Sequence, residues 1–309
     1  LPSRNKDLIE QLRRLKPQVR AATATAWLAD VDQVSVAALT KLVPEDNLPH
    51  EDLNFVWQQL TRVPTEKIAS RWEELRDLLT AESAERSAKN QSACTVLVDF
   101  NKELPAGWTV DGAGTRQTVQ TGDFQIDQVG DKVIQTFYLG GIATGAISTK
   151  LNGAVRSPLY QNMSAPFFSV RMAGGQYAAW RTPIDNAFLC ETEERLTNSQ
   201  YQWELFPTRT DRFRERRVYM EFVTKESNPN FPSIYSRLIP LEDEEDPRSW
   251  FAINQVVAHQ TEEVPRDEIA RYAELFDAPS PANIQQALER YRRWIKSALT
   301  RWANSQSTE

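Results

Sequence analysis

Apolar residues recur every three or four positions at both ends of the chain. Leu8, Leu12, Leu15, Val19 and Ala22 form one series, Leu53, Trp57 and Leu60 a second, and Ile68, Trp72, Leu75 and Leu79 a third. That spacing sets each series on one face of an amphipathic helix and predicts a core-facing stripe. Near the other end, Ile284, Leu288, Tyr291, Ile295 and Trp302 make one stripe, with Arg290, Arg292, Arg293 and Lys296 off it. Ser280-Pro281 before it predicts an N-cap followed by proline at the first helical position. Five of the nine tryptophans (Trp27, Trp57, Trp72, Trp294, Trp302) fall on these flanks. Such aromatic density predicts that the terminal helices pack on each other or on something outside this sequence.

The middle of the chain alternates instead. Thr95–Phe100 has high strand propensity, and Gly107–Asp111 follows a Pro-Ala-Gly turn. Further predicted strands are Val133–Leu139, Ala146–Leu151, Phe167–Ala173, Gln176–Arg181, Tyr201–Phe206, Arg217–Thr224 and Phe251–Ala258. All eleven glycines lie between Gly107 and Gly175, which marks a turn-dense β region. Short antiparallel strands with such turns make a β-sandwich or jelly roll, and no parallel βαβ alternation occurs. The predicted class is α+β: a central antiparallel β-sandwich flanked by N- and C-terminal helices that pack together. The predicted organisation is a helical region over 1–92, a β-sandwich over 93–262 and a second helical region over 263–309.

Composition narrows the function. With 309 residues, 40% hydrophobic and 25% charged, the chain can build a sizeable core. Thirty-six basic and forty-two acidic residues leave a net charge of −6, so nucleic acid is not an expected partner. No apolar run approaches the roughly 20 residues of a membrane span. The start, Leu1-Pro2-Ser3, lacks an initiator Met and a signal peptide, and reads as an excised piece of a longer or processed protein. Cys94, Cys190, His50 and His259 are scattered singly, unlike the paired ligands of a zinc site. No C-x-x-C occurs. Cys94 and Cys190 fit either one disulfide or two separate buried thiols.

Several segments carry a resemblance. Leu151–Pro158 leads into Phe168–Gly175, followed by Ile184-Asp185-Asn186, Tyr201-Gln202-Trp203, Arg217–Phe222 and Trp250–Ile253. Lys225–Pro232, Asp246–Phe251 and the tail from Pro265-Arg266-Asp267-Glu268 continue it. This succession, over roughly 94–300, resembles the galactose-binding-like jelly-roll segment of planctomycete cytochrome-c-type multidomain proteins carrying domains of unknown function. The chain departs from those proteins in lacking a haem-binding C-x-x-C-H. The resemblance implies an exported, periplasmic or extracellular location in the cell envelope, and carbohydrate binding by analogy with other jelly rolls.

Catalytic constellations are sparse. Glycoside hydrolysis needs two facing carboxylates. Asp111, Asp123, Asp127 and Asp131, or Glu204 and Glu221 on predicted strands, are the candidates, but acidic turn residues are common in β-rich proteins and are the favoured account. No G-x-S-x-G elbow exists, and His259 is the only histidine near the sandwich. Gly112-Ala113-Gly114 lacks the rest of a dinucleotide fingerprint. No cofactor is expected. A structural calcium is a candidate, held by the run Glu242–Asp246, which otherwise reads as a solvated loop.

Sugar binding asks for a flat aromatic ring beside planar hydrogen-bonding groups. Trp180-Arg181 with Asp185-Asn186 brings these types into one strand-loop segment. Arg156, Lys225, Asn228 and Trp250 are the further candidates, with Trp203 and Tyr235 beside them; Trp203 and Trp250 also suit a sandwich core. Arg181, Arg216 and Arg217 would suit an anionic glycan. The expected function is a non-catalytic module of an exported envelope protein that binds polysaccharide or another glycan. The alternative is a scaffold that docks onto other domains of a larger parent.

Overall fold

The computed structural model describes residues 3–116, 118–126, 133–160, 165–175, 177–183, 185, 193–196, 198–206, 216–228 and 249–304. The chain divides into two compact units. Residues 13–92 with 266–309 form a helical unit, and residues 1–12 with 93–265 form a β unit.

The helices are α1 (Ser3–Gln33), α2 (Val36–Lys41), α3 (Phe55–Thr61), α4 (Ile68–Ala93), α5 (Tyr272–Phe276) and α6 (Ile284–Ala303). As expected for the fold class, the two chain ends share one core. Trp57 and Leu60 of α3 and Trp72, Leu75 and Leu79 of α4 pack with Tyr272 of α5 and Leu288 and Tyr291 of α6. Trp57 meets Tyr291 edge-on at 5.6 Å, and the Trp57 backbone N–H donates to the Tyr291 hydroxyl at 2.9 Å. Trp72 meets Phe276 edge-on at 4.9 Å.

Some stripe residues are not core. Leu15 is 46% exposed, the buried residues of α1 lying further along at Thr23 and Ala24, and Leu53 is 52% exposed because it falls in the turn before α3, whose buried face begins at Phe55. The start of α6 also differs from expectation. Asn283, not Ser280, is the cap: its side chain accepts from the Gln286 N–H at 2.9 Å. The Gln286 side chain reaches back to the Ala282 N–H, a reciprocal arrangement of the capping-box kind. Ser280 donates to Glu73 instead.

The β unit holds β1 (Cys94–Asp99), β2 (Thr109–Asp111), β3 (Thr118–Ile126), β4 (Ile134–Ala143), β5 (Ala154–Arg156), β6 (Phe167–Gly175), β7 (Ala179–Arg181), β8 (Glu193–Arg195), β9 (Gln202–Leu205), β10 (Glu221–Val223) and β11 (Trp250–His259). One sheet has the order β3-β4-β11-β6-β9, with β1 also paired to β11; the other is β2-β5-β10-β7-β8. Every pairing among them is antiparallel. The chain passes from sheet to sheet between β4 and β7 and again from β8 to β11, a jelly-roll wrapping of a sandwich.

The core lies between the sheets. Phe168, Val170 and Met172 of β6 and Phe251, Ile253, Val256 and Ala258 of β11 face Val155, Trp180 and Phe222 of the smaller sheet. The inward series on β11 changes phase between Ile253 and Val256, because a bulge at Ile253/Gln255 inserts one residue.

The predicted strand Ala146–Leu151 is a run of turns, closed by Ala146 N–H to Ala143 and Leu151 N–H to Ser148 carbonyls. Ala146 packs against the cluster of Val119, Tyr138 and Trp250, and the ladder resumes only at Ala154. Conversely β3 was not expected. Its Gly122-Asp123 resembles a turn, but Gly122 takes φ 81° inside a bulge between Thr121 and Phe124.

Candidate functional site

The smaller sheet sets the geometry of most candidate residues. In its register Glu221 on β10 lies directly opposite Arg156 on β5 and Arg181 on β7. Directly opposed residues share a face. The neighbouring row, Val155, Phe222 and Trp180, takes the other face and enters the core. Glu221 therefore stands between two guanidinium groups. Arg156 Nε donates to Oε1 at 2.5 Å, and Arg181 pairs with Oε2. Arg181 Nη1 also donates to Asn228 Oδ1 at 2.8 Å. Arg181 and Glu221 have no solvent exposure, and Asn228 is 7% exposed. This charge network, buried at Arg181 and Glu221 and open to solvent at Arg156, holds three strands together.

The other candidates fall elsewhere. Trp180 is 1% exposed, with Phe206 edge-on at 4.4 Å and Phe222 on its other side at 6.5 Å. It is not the sugar-stacking platform expected of it, because the strand alternation that turns Arg181 toward Glu221 turns Trp180 inward. Trp250 is likewise enclosed, edge-on to Tyr138. Asp185 sits apart with φ 50° and accepts from Arg216 at 2.8 Å and from the Arg217 N–H at 3.0 Å. The Arg216 hydrogen bond, with that of the Arg217 backbone, lowers its pKa. Lys225 places Nζ 5.5 Å from the Tyr177 ring centre. Asn186, Cys190, Tyr235, Asp127, Asp131 and the run Glu242–Asp246 lie outside the described residues.

Of the carboxylates considered for catalysis, Glu221 has both oxygens occupied by arginine. Asp111 and Asp123 each accept from the next backbone N–H. Among the described residues, no group of three or more His, Cys, Asp and Glu is placed to hold a metal ion. Cys94 is a free, half-buried thiol whose pKa burial raises.

One pair was not foreseen. Ser169 on β6 and His259 on β11 meet at 2.7 Å, Oγ to Nε2, and His259 Nδ1 lies 2.6 Å from the Thr261 carbonyl. With Nδ1–H donating to that carbonyl, Nε2 accepts from the serine hydroxyl. Burial lowers the His259 pKa, against the Thr261 hydrogen bond that favours its charged form. The connectivity is that of a nucleophile and its base. However, Ser169 has no exposed surface and His259 is 2% exposed, with Phe167 stacked over its ring. No sequence motif signals this pair, since it depends on a diagonal contact between strands 90 residues apart.

No protein-family model matches the chain, and no curated protein sequence does. Among solved structures, it is similar to the K1 cleaved adhesin domain of Lys-gingipain from Porphyromonas gingivalis, at 10% identity over 54% of this chain and 99% of that one, TM-score 0.25. The K3 domain of the same protein gives 12% identity over 54% and 100%, with TM-score 0.25. A Podospora anserina GH26-CBM35 β-(1,4)-mannanase gives 9% identity over 55% and 28%, with TM-score 0.21. Likenesses this distant do not bear on what this chain binds.

Proposed function

We propose that this chain is a non-catalytic binding module of an exported cell-envelope protein, acting by docking rather than by making or breaking bonds. The observation that carries this reading is the enclosure of the reactive groups in the sandwich. Glu221 is held between Arg156 and Arg181, and Ser169 and His259 have almost no exposed surface. Groups spent in this way hold strands in register and leave no approach for a substrate. The envelope setting rests on the resemblance of residues 94–300.

Carbohydrate is the ligand class we assign to the sandwich. Tyr177 supports it: it is half-buried, and its backbone takes φ 71°, an unfavourable conformation for a bulky residue. Such strain costs on the order of 1–3 kcal/mol and persists only where the surroundings hold it. Here it holds an aromatic ring beside the Lys225 ammonium. A ring that packs on sugar C–H groups, next to a donor for hydroxyls, is the chemistry a polysaccharide needs. The enclosure of Trp180 and Trp250 favours the second reading, a scaffold that docks onto other domains of its parent.

A glycan array of neutral and sulfated polysaccharides, probed with the whole chain and with Tyr177→Ala, separates the two. Binding that the substitution removes supports the carbohydrate assignment. An array without signal overturns it and leaves the scaffold.

A further inference from the structure

The helical unit carries an open groove of about 520 Å³ along one face of α6, with Asp32 near the end of α1 at its edge. That volume lies in the usual range of small-ligand sites. Its charge is opposite to that of the chain. Arg292, Arg293, Lys296 and Arg301 line it against Asp32 and Glu289, four positive groups and two negative, in a protein of net charge −6. Ser297 and Thr300 add two hydroxyls to the wall.

The cations are not equally engaged. Arg301 is committed: its guanidinium forks onto both oxygens of Glu274, at 2.9 and 2.7 Å. Arg292 donates to Glu289 at 2.8 Å and to the Val34 carbonyl at 2.5 Å, which fixes the plane of its guanidinium. Lys296 pairs with Asp32 at the edge of the groove. Arg293 is exposed and has no ion pair among the described residues. Compensation of the helix dipole explains basic groups only in the last turn. It covers Arg301 but not Arg292, Arg293 and Lys296, which stand about two to three turns before the end of α6.

We propose that this groove binds a tetrahedral oxyanion, phosphate or sulfate, either free or as an ester on a polymer. Arg293 supplies the open guanidinium fork, which suits such a group in bidentate fashion. Lys296 adds a second charge on release from Asp32, so Asp32 competes with the ligand for its lysine. The Thr300 hydroxyl donates to the Lys296 carbonyl and the Ser297 hydroxyl accepts from Arg301, so both shape the wall and leave the charge contacts to Arg293 and Lys296. The site lies in the helical unit and does not rest on the carbohydrate assignment for Tyr177.

The test is calorimetric titration of the whole chain at low salt with inorganic phosphate, dextran sulfate and polyglutamate, repeated with Arg293→Gln and Asp32→Asn. Both substitutions are at exposed side chains, and circular dichroism checks that the fold is retained. Arg293→Gln is expected to weaken oxyanion binding by roughly five-fold or more, the scale of one charge-assisted contact. Asp32→Asn is expected to tighten it, because the net lining charge rises and Lys296 is freed. Binding of phosphate and dextran sulfate alike assigns a general oxyanion site, and binding of dextran sulfate alone assigns the ester on a polymer. Absence of binding to both, or affinities unchanged in Arg293→Gln, overturns the proposal. Polyglutamate bound as tightly as dextran sulfate also overturns it and makes the groove a site for acidic peptides.

Discussion

Each unit contains a charge cluster, and the two have opposite stoichiometry. In the sandwich one carboxylate, Glu221, lies between two arginines. In the helical unit one arginine, Arg86, lies between two carboxylates, at 2.6 Å from Glu51 and 3.0 Å from Glu82 at its Nε. His50 and Arg266 extend the second cluster outward, and Arg86 Nη1 also donates to the Asp267 carbonyl. The means of assembly differ too. Strand register places the sandwich cluster, since Arg156, Glu221 and Arg181 are directly opposed across three strands. The helical cluster begins with a local i,i+4 pair, Glu82 and Arg86, and gains Glu51 and Arg266 from distant segments. Each has a buried centre and a wetter partner: Glu221 and Arg181 are fully enclosed with Arg156 34% exposed, whereas Arg86 is 5% exposed with Glu82 at 19% and Glu51 at 38%. The sheet uses its charges as a lock on register, while the helices use theirs as a clamp at the edge of a core already made by apolar packing.

The largest expected effect is therefore Glu221→Gln. Removing the carboxylate leaves the fully buried Arg181 guanidinium with an uncompensated charge, at a cost of about 3–5 kcal/mol, while the partly exposed Arg156 is solvated. Urea unfolding combined with hydrogen exchange at the β10 and β7 amides measures it. A loss comparable to that of a surface substitution would break the distinction between lock and clamp.

Arg86→Met comes next, at about 1–3 kcal/mol. It forfeits hydrogen bonds to Glu51, Glu82 and the Asp267 carbonyl, but the remaining carboxylates reach water. Exchange at the α4 amides should rise while that at β10 stays unchanged.

Acid should act on the same cluster. Burial alone would raise the Glu51 pKa, but hydrogen bonds from Arg266 and Arg86 outweigh it and bring the value down to about 2. Glu82 is lowered as well, its burial outweighed by hydrogen bonds from His50 and Arg86. Depressed carboxylates stabilise the fold above their unfolded pKa, near 4.5, and lose that contribution as pH falls toward 2. Allowing for the solvent exposure of Glu51, the loss is on the order of 1 kcal/mol, and Arg86→Met should reduce it. His259 acts at a higher pH. Its folded pKa is lowered, so its contribution is complete above about 6.5 and declines as pH falls below that. Ser169→Ala with His259→Gln tests whether the decline between pH 6.5 and 5 disappears in a thermal-denaturation series.

The smallest effect is that of salt. Raising ionic strength from low to about 0.5 M should cost the helical unit a few tenths of a kcal/mol through screening of Arg266 and Glu51. The buried Glu221–Arg181 pair should respond less, any change being confined to the partly exposed Arg156. An equal response of both units would remove the basis for separating them.

Much of the architecture was legible along the chain. The three- and four-residue spacing from Trp57 to Leu79 and from Leu288 to Trp302 identified helices whose shared core needs no special geometry, only apolar faces to cover. The alternation in Phe168-Ser169-Val170-Arg171-Met172 identified a strand, though its second face, read as wet, is buried too at Ser169 and Ala173, and the glycine cluster identified the β region. These are local signals, and hydrophobic period reports them directly. The bulge in β3 was not legible, because Gly122-Asp123 has the composition of a turn and only pairing with β4 makes it part of a strand.

The candidate site shows the same division. The residue types around Trp180 were visible in sequence, but not the direction in which each side chain points. Arg181 finds Glu221 forty residues away and Asn228 forty-seven away, and those contacts turn Trp180 into the core. Ser169 meets His259 only because β6 and β11 are neighbours. The basic face of α6 was visible as residues off the apolar stripe, yet it becomes a groove only where the end of α1 supplies Asp32 at its edge. The amino-acid order alone determined the helical flanks, the β-rich middle and most of their apolar faces, since period and turn chemistry act within a few residues. Tertiary structure alone decided which polar side chains are enclosed, which are paired and which remain open to a ligand, because burial and electrostatic pairing depend on partners brought together from distant parts of the chain.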